Sequence, residues 1–390
     1  MYIISFFRNH VILTAKITVS LFLIGVVLCF TSIQSCNISP SQLVLLSGDY
    51  TTPQIDSWKM ERADKLNLYF SRSVSFPELM VYEISEGTNL TESSSITASF
   101  TEPITDKEET SENEEVSTDL SNDVVCIPIQ FSQKTVVGTK YLLAGVAQDE
   151  YGNTLDFTLS FAGYNNEIPA VIFSEIRTDY SKTTTGAKVE FVEFVVLSDG
   201  NTAGMQFESG YDGKDKTYIF PNIEVKKGEY IVLHLRTLDD NAISELGDDL
   251  LLSGAKDSSA ARDLWVDNTS ARIGKDDVLL LRNRENGELL DAVMFSRSDQ
   301  EGWSKDAMLI AAKEAYAANI WKEGFSSDIA AISDGLTLTR TLCRQNIASC
   351  IEQYSKGINQ PYSVSASDWF VVNTSCDTPG TSNSTERYSE

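Results

Sequence analysis

The chain has 390 residues, 42% of them hydrophobic and 22% charged, with 31 Lys and Arg against 56 Asp and Glu. A formal net charge of −25 excludes a basic groove for nucleic acid, because affinity for phosphate backbones comes from cations that displace counterions. The same charge opposes adsorption to anionic lipid, so membrane contact has to come from some other part of the chain.

That part is the N-terminus. Residues 1–35 carry Arg8 and Lys16 and no acid, then an uncharged apolar run from Ile17 to Phe30 and a small polar patch, Thr31–Ser35. The order is that of an export signal, and the apolar run is short against the ~20 residues a bilayer span needs. Ile33-Gln34-Ser35-Cys36 resembles the looser lipoprotein signal box: a branched aliphatic residue, a spacer and a small residue before the cysteine. The stricter box has Leu first and Gly or Ala before the cysteine, and Cys29, after Leu28, fits less well. The resemblance implies cleavage before Cys36, a lipid on Cys36 as the contact with a membrane, and a place in a bacterial cell envelope facing the periplasm or the exterior. An uncleaved anchor is the alternative, since no charge appears between Lys16 and Asp49. It too leaves residues 37–390 outside the cytoplasm, with the positive charges inside.

About 354 residues follow Cys36, enough for two domains. Without Arg8 and Lys16 they hold 29 basic against 56 acidic residues. Residues 36–52 read as a lipid-anchored tether. From Asp64 on, KLNLYFSRSV, LMVYEIS and SITASF alternate with period two, as half-buried strands do. Residues 102–123 break the pattern with nine acids and one lysine, a composition that cannot bury apolar surface and predicts a solvated loop. VVCIPIQF and KYLLAGVAQDEYGNTLDFTLSF restore the alternation, with a turn at Asp149–Asn153 where Gly152 and Asn153 suit positive φ. Tyr141, Gly145, Asp149, Gly152 and Asn153 resemble the final hairpin of bacterial Ig-like domains, and the resemblance implies a β-sandwich over 53–167. A turn explains Asp149 without a metal.

NNEIP, 165–169, is a linker. PAVIFSEI, KVEFVEFVVLS, KTYIFP, GEYIVLHL, DDLLLSG and RIGKDDVLLLRNRENGELLDAVMFS then read as strands, the last segment turning at Asn286-Gly287. Ser174-Glu175-Ile176, Glu190-Phe191-Val192-Glu193-Phe194, Phe220-Pro221, Gly228-Glu229-Tyr230 and the Gly274–Val293 hairpin, with Gly287 and Asp291, resemble a lamin tail domain, an Ig-like sandwich. Phe191 stands for the usual Trp, and Ala203-Gly204-Met205 for Ser-Gly-Trp. Gly335–Arg340, Ser367–Trp369 and Thr378-Pro379-Gly380 through Asn383 resemble the family's closing segment, so the likeness spans 168–383. It implies tethering or binding and names no catalytic residue. Residues 305–323 interrupt the strands with Met308, Ala312, Tyr316 and Ile320 at four-residue spacing, and predict one inserted amphipathic helix. Residues 341–361 are a second insertion, and 384–390 a disordered tail. The expected fold is all-β: two Ig-like sandwiches in tandem behind a signal segment, with one helix inserted in the C-terminal region.

Chemistry is sparse. His234 is the one histidine after the signal, which removes most triads and two-histidine metal sites, and a packed or surface role is expected for it. No nucleophile elbow, phosphate loop or dinucleotide fingerprint occurs. The acid pairs Asp239-Asp240, Asp248-Asp249 and Asp276-Asp277 flank loops, and Glu190 and Glu193 fall on opposite faces of a regular strand. Cys126, Cys343, Cys350 and Cys376 form an even set outside the cytoplasm, and Cys343 and Cys350 are close enough for a local bridge, though spacing alone does not fix connectivity. Six intervening residues are not the usual zinc-ligand spacing. The reading is a non-enzymatic envelope lipoprotein without cofactor or metal that holds an unknown protein or glycan partner, no nucleic acid expected; the alternative is a hydrolase using an unrecognised carboxylate pair. Intact-mass measurement of the membrane form should show residues 1–35 gone and a lipid mass on Cys36, and lipid retained in a Cys36→Ala protein would exclude that residue as its site.

Overall fold

The computed structural model describes residues 50–390 apart from 85–94, 101–123, 184–185, 214–215, 238–241, 254–259, 358–363 and 390. The signal segment 1–35, Cys36, nearly all of the tether and the acidic segment 102–123 lie outside the described residues. No described helix is long and apolar enough to cross a membrane.

The protein is all-β. Its first seven strands are β1 (Ile55–Arg62), β2 (Lys65–Phe70), β3 (Ser75–Ile84), β4 (Ser95–Phe100), β5 (Val125–Phe131), β6 (Lys140–Gln148) and β7 (Thr154–Ala162). They pair antiparallel in the order β1-β2-β5-β4-β3-β6-β7. Midway along β4 the partner changes: Ile96 and Thr97 face Val81 and Met80 of β3, while Ala98 and Phe100 face Phe131 and Ile129 of β5. A strand that switches partner in this way folds one run of strands into two layers. Alternation sends Leu66, Leu68, Phe70, Ile127 and Ile129 into the space between the layers, where they meet Val81, Tyr141, Leu143 and Phe161. The β6–β7 turn forms where the sequence places it. Gly152 has φ 85°, and one Asp149 carboxylate oxygen accepts the N–H groups of Tyr151 and Asn153 at 3.0 and 2.8 Å.

The second region runs through β8 (Val171–Arg177), β9 (Ser181–Thr183), β10 (Gly186–Lys188), β11 (Phe191–Val196), β12 (Gly200–Asn201), β13 (Gln206–Ser209), β14 (Tyr218–Ile219) and β15 (Glu224–Val225). It continues with β16 (Tyr230–His234), β17 (Arg262–Trp265), β18 (Asp277–Arg282), β19 (Leu289–Ser296), β20 (Ala331–Ile332), β21 (Leu342–Arg344) and β22 (Trp369–Val371). A six-stranded sheet, β17-β16-β11-β8-β21-β22, and a five-stranded sheet, β14-β13-β18-β19-β20, share one apolar core. Every residue of β8 and β11 is buried, the signature of strands covered on both faces. Their inner faces hold Phe173, Ile176, Val192 and Phe194. Phe173 and Ile176 are three apart and both point inward because the β8–β11 register shifts between Val192 and Phe194. That bulge sets Ser174 and Glu175 opposite the single residue Glu193.

The outer face has two covers. One is a helix, α2 (Ile347–Ser355), within the segment 341–361 that the sequence marks only as an insertion. It lays Ile347, Cys350, Ile351 and Tyr354 over Ala170, Ile172, Val195 and Leu197. Those four helix positions recur at i, i+3, i+4 and i+7, so the signal was present in the sequence. The other cover is the C-terminal segment 377–383. The expected helix, α1 (Asp306–Ala317), is shorter than predicted and buries Met308, Ala311, Ala312 and Ala315. Tyr316 is exposed instead, because 3.6 residues per turn carry a strict four-residue spacing off the buried stripe. Asn319 ends the helix at φ 60°, with its N–H on Tyr316 O and that of Ile320 on Ala315 O, a Schellman stop.

Two further expectations are corrected. Cys343 and Cys350 form no bridge; both are free and buried. Alternation along β21 turns Cys343 toward Thr341 and Glu175, while Cys350 sits against Arg344 and the α2 cluster. The tail is ordered rather than frayed. Tyr388 N–H donates to Val371 O and Asn373 N–H to Glu386 O, so residues 386–388 cap the β22 edge, and Arg340 stacks on Tyr388 at 4.1 Å. An open strand edge recruits a polar segment through its backbone groups, which hydropathy does not reveal. Deleting 384–390 should therefore lower the melting temperature by roughly 4–8 °C, the equivalent of about 2 kcal/mol, in a thermal melt; an unchanged melt would restore the frayed tail.

Candidate binding groove

The acids that stood out in the sequence are mostly used to close the fold. Glu175 accepts the Thr341 hydroxyl, the Thr378 N–H and the Thr378 hydroxyl, and Glu193 accepts the Gly380 N–H. Asn383 donates its amide to Ser174 O and Arg344 O at 3.0 and 2.9 Å, and Asp377 receives Arg177 and Lys188. Three sequence motifs, Ser174–Ile176, Glu190–Phe194 and Thr378–Asn383, thus meet on one face. Burial pushes the Glu193 carboxyl well above the ordinary range, and the nearby Glu175 charge adds to the rise. Burial raises Glu175 too, against the pull of Thr341, Thr378 and Arg177. Glu193 is thus the member that keeps its proton, and its other oxygen has no hydrogen-bond partner among the described residues. Burial also raises the Cys343 thiol well above its usual value, which leaves it inert.

Glu190 and Glu193 take different partners, Glu190 gripping Arg236 through both oxygens at 3.0 and 2.5 Å. His234 is packed: it bonds Asp263 at 2.6 Å and stacks on Trp265 with 4.0 Å between rings. Asp149 holds its turn and pairs with Arg72 at 3.3 Å. Asp248 and Asp249 are exposed, and Asp239-Asp240 lies outside the described residues. Asp277 is fully buried, accepting the Ser209 hydroxyl at 2.7 Å and the N–H groups of Val278 at 2.7 Å and Tyr211 at 2.9 Å. Among the described residues no group of three or more His, Cys, Asp or Glu could hold a metal ion.

The open surface of note is one the sequence did not single out. A cleft of 320 Å³ lies where β1 and β7 meet the second region, lined by Trp58, Phe161, Tyr164, Gln206, Ile219 and Arg284 among others. A second section of 670 Å³ continues from it, and Trp58, Gln206, Ile219 and Glu285 line both. A third, 110 Å³, adjoins α1, and Glu208 and Glu314 line the second and third together. The three adjoin through these shared residues and together make up the groove. At its middle Arg282 forks between Glu208, at 2.8 and 3.2 Å, and Glu314. Burial alone would lower the Arg282 guanidinium, but the bonds to Glu314 and Glu208 hold it above its ordinary value. Ile219 is 54% exposed here, an apolar side chain offered to solvent.

These features define a tandem β-sandwich protein with an open groove at the junction of its two cores. Residues 169–371 match the family described as the TP_1001 protein second domain, and the chain belongs to that family. An uncharacterized protein of Treponema pallidum (strain Nichols) is 32% identical over 168 residues, which are 43% of this chain and 42% of that relative. The match thus spans less than half of the relative's length.

Burial raises the Asp277 carboxyl from 3.8 to about 7. Between those values the folded state keeps a proton that the unfolded state has released, so stability falls as pH rises toward 7 and levels off above it. Asp277→Asn keeps an acceptor for the Tyr211 and Val278 N–H groups and offers a donor to Ser209, losing only the 3.3 Å bond from the Gly274 N–H, and should flatten that slope. The measurement is the difference in melting temperature between pH 5 and pH 8; the variant's drop should be the smaller, and equal drops would refute the assignment.

Proposed function

We propose that the protein is a non-enzymatic lipoprotein of a bacterial cell envelope, anchored at Cys36. On this reading an Ig-like and a lamin-tail-like sandwich hold a protein or glycan partner in the groove between them. The groove carries the reading: three adjoining sections, with apolar and polar groups both on offer, form a surface suited to an extended partner. The meeting of the Ser174–Ile176, Glu190–Phe194 and Thr378–Asn383 motifs at one closure supports the lamin-tail likeness, although a fold by itself assigns no function. A hydrolase would want two groove carboxylates whose environments separate their proton affinities. Glu208 and Glu314 are both clamped on Arg282, while burial raises the third groove carboxyl, Glu285, the one a hydrolase would use as its acid.

A photoreactive residue at Ile219 or Lys59, in the full chain on intact cells, should trap a partner. One at Tyr151, exposed on the β6–β7 turn, should not. Trapping at Tyr151 alone, or equally at all three, would move the binding surface out of the groove. Turnover of a glycan, peptide or phosphoester by the purified protein, lost on changing one acid pair, would replace this reading by the hydrolase.

A further inference from the structure

We infer that the groove takes an extended, uncharged glycan, with Trp58 as its stacking platform. The inference rests on the groove being the binding surface and adds the chemical class of the occupant.

Charge is the first argument. In a protein of net charge −25, the groove is close to neutral. Lys59, Lys140, Arg282 and Arg284 line it, against Glu208, Glu285 and Glu314. Four cations against three carboxylates leave an excess of one, too small to hold a polyanion, and a polycation would find better sites elsewhere on so acidic a surface. The balanced lining fits a neutral occupant.

The second argument is the type of side chain. Trp58 lines the first and second sections, partly buried against the first core, with Phe161 edge-on to it at 63°. Around it stand the Gln206 and Asn286 amides and the Glu208 and Glu314 carboxylates. Sugar rings have an apolar C–H face that suits an aromatic ring and hydroxyls that both donate and accept. Planar amides and carboxylates meet those hydroxyls in pairs. Because Glu208 and Glu314 are already tied to Arg282, their oxygens are held in fixed directions with lone pairs to spare.

The third argument weighs against the main competitor, a peptide added as a strand, at β1 and β14. Two edges of the seven-stranded sheet border the groove, β1 and β7; β1 shifts register between Ile55 and Ser57 and again between Met60 and Arg62. Asp56, Lys59, Glu61 and Arg62 stud the same strand. Bulges and charges are what blunts an edge against strand addition. On the opposite wall β14, the edge of its sheet, is two residues long. Along β1 and β14 recognition therefore has to pass through side chains.

The test is a glycan array followed by calorimetric titration of the full chain with neutral tetra- to hexasaccharides. Sialylated and sulfated oligosaccharides and unstructured peptides serve as comparisons. At least one neutral series should bind, and Trp58→Ala should weaken it about tenfold or more. Asn286→Gly removes an amide from the groove while keeping the positive φ of 51° that its turn requires, so it should weaken binding even if the tryptophan variant folds poorly. Absence of binding across the neutral series would overturn the glycan assignment. If photoreactive Ile219 still traps a partner and that partner is a protein, the groove reading stands and the glycan falls. Saccharide binding that neither variant alters would place the sugar outside the groove and overturn both.

Discussion

Two carboxylates on the outer face of the six-stranded sheet set the terms for the second region. Glu175 and Glu193 sit on the central strands, where both faces are covered and water cannot reach them. Leaving such groups without partners would cost about 1–3 kcal/mol each, and more if charged. The donors come from more than 180 positions later in the chain: Thr378 for Glu175 and Gly380 for Glu193. Closure of the fold therefore waits on the C-terminal segment. Once that segment is in place, residues 386–388 are carried to the β22 edge and Asn383 ties β8 to β21. A second buried pair fastens the two sheets, Arg344 of β21 reaching Asp291 of β19 at 2.6 Å with both side chains fully enclosed. Burial raises the Asp291 carboxyl and the guanidinium opposes that rise. Removing one partner of such a pair does more harm than the pair itself does good.

The groove follows from how the two cores are joined. Asn165, buried in the connection, donates its amide to Asn201 O at 2.6 Å and Ala203 O at 3.1 Å and accepts the Glu167 N–H at 2.9 Å. Arg284 stacks on Tyr164 at 3.9 Å and donates to Asn165 O. Gly138, at φ 80°, lets Asn222 approach so closely that a Cβ there would lie 2.6 Å from its amide nitrogen. The connection is thus a packed joint, and the cleft beside it is bounded by elements with their own reasons to be rigid.

Much of the strand content was legible because period-two alternation needs no partner to be read: β2, β6 and β7 appear where KLNLYF, KYLLAGVAQ and TLDFTLSFA stand. Turns with a chemical requirement, Gly152 and Asn286-Gly287, were equally local. The second helix was missed although its i, i+3, i+4, i+7 pattern was there, since the segment was read by likeness to a family in which it is an insertion. The candidate groove was hardly legible at all. Trp58, Gln206, Ile219 and Arg282 come from separate strands, and none belongs to a motif.

The sequence by itself determined the class of fold, the acidic surface and the order of the strands, since these depend on composition, periodicity and turn residues close together in the chain. Tertiary structure alone decided the rest. The bulge that brings Ser174 and Glu175 beside Glu193, the separation of the Cys343 and Cys350 thiols, the docking of Tyr388 and the assembly of the groove all require knowing which distant backbone lies alongside. A side chain's partner across more than a hundred residues is fixed by register and packing, and neither leaves a mark in the local pattern.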